Sequence, residues 1–130
     1  MTGMPELHGY HIHIYFNDET RLKAEKVRDQ LAANFPVELG KNVGVIGPHL
    51  VPQMNIVFRT EAFAEIVPWL MFNHEGLDVL IHPLSNDEYD DHTINALWLG
   101  RPVPLKLETL PHGPYPAELL PKADAAAATR

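Results

Sequence analysis

The chain has 130 residues, a hydrophobic fraction of 45% and a formal net charge of −7, so it can form one globular domain with a core of its own. It has no cysteine, which excludes disulfides, thiolate nucleophiles, iron–sulfur clusters and cysteine-bound zinc. The acidic balance provides no basic face for nucleic acid or an anionic membrane, and no apolar run resembles a membrane span or a secretion signal. We therefore expect a cytoplasmic protein whose partner is neither nucleic acid nor a membrane.

The first predicted strand, over residues 8–16, alternates strictly between two kinds of side chain. His11, His13 and Tyr15 lie on one face, and the apolar side chains at the even positions lie on the other. Because successive side chains of a strand point to opposite faces, the two imidazoles project from the same face, with Cβ atoms roughly 6–7 Å apart. This pattern indicates a metal or acid–base site on the open side of a sheet.

A helix is predicted next, with Thr20 as its N-cap and Ala24, Val27 and Leu31 as its inner stripe, and it ends before Pro36. The rest of the chain predicts, in order, a weak strand, a strand, a helix, a strand, an acidic loop and a last short strand, over residues 37–46, 53–59, 60–73, 77–82, 85–91 and 93–99.

The order strand–helix–strand–strand–helix–strand is that of the ferredoxin-like α+β fold, βαββαβ. We expect four antiparallel strands with the first and third in the middle and both helices on one face, where Phe63, Trp69 and Phe72 would join the core. The domain is predicted over residues 1–110, and residues 111–130 are predicted to be a Pro- and Ala-rich arm with a frayed tail.

The face of the sheet away from the helices is predicted to be polar. In this fold the strand over residues 77–82 runs antiparallel beside the first, so we expect His82 near His11. The open face is too polar for a core and receives His11, His13, Tyr15, Gln53, Asn55, Arg59, Asp78 and His82.

Histidines at positions i and i+2 of a strand form a recurrent pair of metal ligands, and His82 is the natural third ligand to His11 and His13. Since cysteine is absent, histidine, carboxylate or water must hold the ion, which favours iron(II), manganese or zinc. The alternative is that the two strand histidines are half-exposed and hydrogen-bonded to water.

Two further histidines have candidate roles. His49 is a fourth ligand or an acid–base group, or else a loop histidine stacked on the preceding proline. His92, which follows two aspartates, is an acid–base group oriented by a carboxylate or a capping residue. Arg59 and Gln53 could bind a substrate carboxylate, although Arg59 could equally be a solvated strand end.

Five segments taken together resemble the DOPA 4,5-dioxygenase family, which includes fungal-pigment enzymes and many small bacterial members. The resemblance covers residues 8–107 and implies a ferredoxin-like fold, a homodimer that forms an α+β barrel, and extradiol cleavage of a catechol by non-haem iron(II) and O₂. The segments are HGYHIHIYF at 8–16, GPH at 47–49, FAEIVPWL at 63–70, GLDVLIHP at 76–83 and DHTINALWLG at 91–100.

The resemblance also singles out particular residues, which are His11, His13, His49 and His82, with His92 next. It implies that the iron lies at His11, His13 and His82, while His49 and His92 move protons. Extradiol iron sites commonly combine two histidines with one carboxylate. The site is therefore either all-histidine or completed by Asp78, Glu38 or the acidic loop.

We predict a catechol dioxygenase that uses a small aromatic diol and O₂, with zinc or manganese as alternatives to iron. Arg59, Gln53, Tyr15 and Asn55 are the predicted substrate-binding residues. Two other functions remain open. One is a non-enzymatic catechol- or metal-binding module, and the other is a cofactor-free monooxygenase of the dimeric barrel type, which would stay active after chelation.

Overall fold

The computed structural model describes residues 3–41 and 43–122. The strands are β1 (Tyr10–Tyr15), β2 (Val37–Leu39), β3 (Gln53–Phe58), β4 (Val79–Pro83) and β5 (Leu97–Leu99). The helices are α1 (Arg21–Asn34), α2 (Phe63–Asn73) and α3 (Glu88–His92), with 3₁₀ turns at Thr60–Ala62, Leu107–Thr109 and Ala117–Leu119.

All strands pair antiparallel in one sheet of order β2-β3-β1-β4-β5. The first four strands and two helices have the order and neighbours of the ferredoxin-like arrangement, so the predicted α+β class is confirmed. The sheet differs from the prediction in one respect, because β5 pairs with the free edge of β4 and makes it five-stranded.

The core lies between the sheet and both helices. Ile12 and Ile14 of β1 are fully buried there, since alternation turns every second side chain of the strand to this face. The other strands and the helices add Met54, Ile56, Phe58, Val79, Ile81, Ala24, Val27, Leu31, Ile66, Val67 and Leu70. This layer leaves the opposite face of β1 free for its histidines.

Thr20 is the N-cap residue of α1, as predicted, although its hydroxyl does not bond to the helix and instead accepts from the Asn17 backbone N–H at 2.9 Å. Two other local predictions were wrong. The weak strand stops at Leu39, after which the Gly40 backbone N–H still donates to the Asn55 carbonyl at 2.8 Å and Gly44 forms an isolated bridge with Gln53. The acidic loop contains α3, because the Asp87 carboxylate caps it by accepting from the Asp90 backbone N–H at 2.9 Å.

The aromatic side chains of α2 do not all pack inward. Phe63 and Trp69 contact the core, but Phe72 is 89% exposed, so its predicted core position was wrong. The helix buries Leu70. Phe72 follows two residues later, which is a rotation of about 200° around the helix axis, so its side chain points away from the core.

No helix in the described part of the chain is long and apolar enough to cross a membrane. The predicted boundary between residues 110 and 111 stays a prediction. The predicted frayed tail falls largely on residues 123–130, which lie outside the described residues.

Candidate metal centre

Three histidines converge on the face of the sheet opposite the core. His11 and His13 come from β1, and His82 lies directly opposite His11 on β4. Their ring centroids are 5.1–5.4 Å apart, and all three side chains are buried. One ring nitrogen from each lies within 4.8 Å of the others, so the structure brings together the three predicted ligands.

The hydrogen bonds of His13 and His82 leave two ring nitrogens facing each other. His82 Nδ1 donates to the Pro83 carbonyl at 2.9 Å, and His13 Nδ1 donates to Gln53 Oε1 at 2.8 Å. The amide orientation of Gln53 follows from its Nε2, which donates to the Gly44 carbonyl at 3.4 Å. With the proton on Nδ1 in both rings, the two Nε2 atoms are both acceptors, and they lie 3.1 Å apart.

This arrangement fits a bound cation. Burial, followed by the neighbouring histidines, lowers the pKa of His13 and of His82, so neither ring readily takes up a second proton. Two nitrogens at about 2.1 Å from one metal ion lie roughly 3.0–3.4 Å from each other. The observed 3.1 Å separation of unprotonated nitrogens has the chemistry and the spacing of a ligand pair.

His11 is held from the far side by the C-terminal segment. Its Nε2 donates to the Leu119 carbonyl at 2.8 Å, and burial is the main cause that lowers its pKa to about 4. Nδ1 is therefore the unprotonated nitrogen of this ring. Sequence reasoning missed Leu119, because nothing in its local pattern indicates contact with a residue 108 positions away.

His49 and His92 join the same cluster. The His49 ring is 4.2 Å from that of His13, and its Nδ1 is 2.8 Å from the Tyr15 hydroxyl. The loop that carries His49 is fixed by an isolated bridge to Leu105. Burial is the main cause that lowers the pKa of His49 to about 4 and raises that of Tyr15.

His92 reaches the cluster from α3. Its ring centroid is 3.9 Å from that of His82, and its Nδ1 donates to the Glu88 carbonyl one turn earlier at 2.7 Å. Burial lowers the pKa of His92, and the Nε2 atom is left as its acceptor. The sequence did not settle whether this histidine faces the site or caps a turn, and the structure buries it in the cluster.

The four predicted substrate-binding residues do not all line the cavity. Gln53 contacts His13 and Tyr15 contacts His49, so these two support histidines, while Asn55 lines the cavity beside them. Arg59 lies beyond the end of β3, where its guanidinium pairs with Glu61 at 3.1 Å, and it does not line the cavity.

The carboxylates considered as ligands have other partners. Asp78 accepts from the Arg101 backbone N–H at 2.8 Å, and Glu38 accepts from that of Lys122 at 2.9 Å. Within the described ranges, the ligand atoms grouped with His11 come from histidines alone. The all-histidine alternative is the one that the geometry favours.

A buried carboxylate supports the cluster from behind. Asp91 is fully buried and accepts from the backbone N–H and the hydroxyl of Ser85 at 2.8 and 2.7 Å. It also accepts from the Tyr115 hydroxyl at 3.0 Å, and the Tyr115 ring stacks on His82 at 6.1 Å. Tyr115 lies between two prolines, in a stretch without the periodicity from which this contact could have been predicted.

Part of the cluster lines a cavity of about 120 Å³. Four histidines contribute, His11, His13, His49 and His92, whereas His82 lies behind them, and apolar side chains come from Ile46, Pro48, Leu110 and Leu119. Glu88 is its carboxylate-bearing residue. A small planar molecule that enters would meet both imidazole rings and hydrocarbon.

The chain belongs to the Dopa 4,5-dioxygenase family, whose sequence profile matches residues 10–109. It is 34% identical over 116 residues to a DOPA 4,5-dioxygenase of Amanita muscaria, an alignment that covers 82% of this chain and 51% of that protein. It is also 39% identical over 70 residues to an uncharacterised 21.2 kDa protein of Botryotinia fuckeliana, covering 48% of this chain and 38% of that one. The chain therefore spans about half the length of the Amanita relative.

A solved structure has the same fold. It is the crystal structure of a protein from Nostoc punctiforme that is provisionally assigned as a dioxygenase, with 41% sequence identity and a TM-score of 0.77. The superposition covers 79% of this chain and 90% of that chain. The family resemblance found in the sequence is confirmed.

Proposed function

We propose that the protein is a ring-cleaving dioxygenase that opens an aromatic diol at a non-haem iron(II) ion held by His11, His13 and His82. The observation that carries the proposal is the pair of unprotonated Nε2 atoms, 3.1 Å apart, on His13 and His82. Iron is proposed rather than zinc or manganese because the chain belongs to a dioxygenase family and imidazole suits iron well.

Bound iron(II) would supply Lewis acidity toward the diol oxygens and a redox centre for O₂. In the overall reaction the carbon–carbon bond beside one hydroxyl-bearing carbon breaks, and both atoms of O₂ enter the product, a semialdehyde acid. The protein's own part is to hold the diol, keep water away and move protons.

His92 and His49 have opposite proton roles in the proposal. His92 presents Nε2 as an acceptor because its Nδ1 donates to the Glu88 carbonyl, so it can take the proton of a diol hydroxyl. Burial raises the pKa of the Tyr15 phenol, so that phenol stays protonated and donates to His49 Nδ1. His49 then carries its proton on Nε2, where it can donate a hydrogen bond to an oxygen of the opening ring, and the proton taken up by His92 returns from that imidazolium to the product.

The rim of the cavity supports an aromatic substrate. Ile46, Pro48 and Leu110 line it with hydrocarbon, and Leu119 closes the side nearest His11. An apolar wall of this kind excludes water and favours a flat ring, while the histidines select the hydroxyl groups. The homodimer and the cytoplasmic location stay predictions.

The test combines metal analysis with oxygen uptake. We expect protein purified under anaerobic conditions and loaded with iron(II) to bind about one ion per chain and, with 4-methylcatechol, to consume O₂ and form a yellow product. His13→Ala should lower both metal content and the rate at least about tenfold, since it removes a ligand from the centre of the cluster.

His8→Ala is the matched control, because this histidine hydrogen-bonds to Asn86 near the surface and belongs neither to the cluster nor to the cavity lining. It should leave metal content and rate unchanged. Full activity after exhaustive chelation would contradict the proposal and support a cofactor-free monooxygenase. Metal and catechol binding without O₂ uptake would instead support a non-enzymatic module.

A further inference from the structure

Apart from the proposed iron(II) ion, which would act on the diol oxygens, the side chains that the structure describes around the cavity supply a negative formal charge and no positive one. Glu88 is its one carboxylate, and no lysine or arginine is among the described residues that line it.

The Glu88 carboxylate is not compensated. Within residues 3–41 and 43–122 no hydrogen bond or ion pair to its carboxylate oxygens is found. The side chain is half-buried, and burial together with the negative charge of Asp91 raises its pKa. Since a half-buried carboxylate without a donor loses free energy of solvation, a cation placed beside it would be stabilised.

The cations that could recognise a substrate carboxylate lie elsewhere. Arg59 pairs with Glu61 outside the cavity. Lys41 and Lys122 line a neighbouring cavity of about 290 Å³ beyond Leu119. Two glutamates, Glu38 and Glu118, line that cavity as well, so its formal charges balance.

Glu88 lines the cavity in which the proposed substrate would bind. Glu88 and His92 are one helical turn apart on α3, and both line the cavity. In the proposed reaction the diol hydroxyls lie at the histidines, so a substituent on the ring could extend toward the carboxylate. The charge of that substituent would then decide how tightly the diol binds.

We propose that Glu88 is a specificity-determining residue that selects aromatic diols with a cationic amino substituent over diols with a carboxylate. The inference rests on the proposed function, because it takes the diol to be the substrate. It assigns recognition of the charged ring substituent to Glu88 of α3 and not to Arg59.

The test compares three catechols that differ in the charge of one side chain: dopamine, 4-ethylcatechol and 3-(3,4-dihydroxyphenyl)propionate. Dissociation constants are measured by anaerobic calorimetry on the iron(II)-loaded protein, so that binding is observed without turnover. We expect dopamine to bind about fivefold more tightly than 4-ethylcatechol, and the propionate to bind most weakly.

Variants of α3 connect the preference to one side chain. Glu88→Gln should bring the affinities for dopamine and 4-ethylcatechol together, and Glu88→Lys should make the propionate the tightest ligand of the three. Asp90→Asn is the matched control, because it removes a carboxylate from the same helix that does not line the cavity. It should keep the order of the native protein.

The outcomes separate this proposal from the proposed function. Equal affinities for the three catechols, or an order that Glu88→Gln leaves unchanged, would overturn the role of Glu88. In those cases cleavage of 4-ethylcatechol would still support the dioxygenase. If none of the three binds to the iron-loaded protein, the proposed function fails and the specificity proposal fails with it.

Discussion

His13 and His82 owe their ligand character to oxygen atoms on their far sides. Gln53 Oε1 and the Pro83 carbonyl each accept a proton from Nδ1, which leaves Nε2 free in both rings. The Pro83 acceptor is a backbone atom, so it does not depend on the side chain at that position. The Gln53 acceptor is a side chain, and substitution can remove it.

We therefore expect Gln53→Leu to weaken metal binding about tenfold or more, because His13 would lose the partner that fixes its tautomer and ring orientation. Competition with a chromogenic chelator measures the affinity. Gln53→Glu is the control, since a carboxylate also accepts from Nδ1 and should retain most of the affinity. Equal affinity for native and Gln53→Leu protein would show that Gln53 does not support the centre.

Among the elements, strands were the easier to predict from the sequence and the chain after β4 was the harder. Alternation along β1 is a local property, so it showed that His11 and His13 share a face, and the fold placed His82 beside them. The same alternation put Arg59 on that face. The pattern holds only within a strand, however, and β3 ends at Phe58, after which Arg59 turns to Glu61.

The C-terminal segment could not be predicted because its contacts are distant in sequence. Tyr115 contacts Asp91 and His82, and Leu119 contacts His11, across separations of 24 to 108 residues. A run with many prolines has no periodicity that would reveal such contacts. The segment was predicted to be an arm outside the domain, and its contacts with the histidine cluster were not predicted.

The contact between Tyr115 and Asp91 gives a prediction for stability. Tyr115→Phe would remove a donor from a fully buried carboxylate, which should lower the free energy of unfolding by about 1–3 kcal/mol. Urea denaturation of the metal-free protein measures the change. Tyr89→Phe is the comparison, because the Tyr89 ring lies against exposed His112 and should change stability by less than about 0.5 kcal/mol.

At the scale of the whole molecule, the histidine cluster links stability to pH. Burial lowers the pKa of His11 and of His49 to about 4, whereas an unfolded histidine titrates near 6.5. The unfolded chain therefore binds more protons than the folded one across this interval. The stabilisation is complete above about pH 6.5 and is lost as the pH falls toward 4.

We expect the metal-free protein to lose at least about 2 kcal/mol of its free energy of unfolding between pH 7 and pH 5, as measured by urea denaturation. His11→Asn should reduce by about one the number of protons taken up on unfolding, because it removes one of the groups that titrate on unfolding. The free energy of unfolding would then depend less steeply on pH. A free energy of unfolding that stays constant over this range would contradict the neutral, buried state assigned to the cluster.

One pairing register of β1 with its neighbouring strands determines what both faces of β1 contact. Sliding the strand by one residue against its neighbours would send Ile12 and Ile14 into the cavity and His11 and His13 into the hydrocarbon layer. A misaligned molecule would lose the proposed metal site together with its interior, so no inactive but well-packed alternative competes with the native pairing. On the proposed function, the ion content of a preparation would then measure the fraction of molecules that have folded correctly.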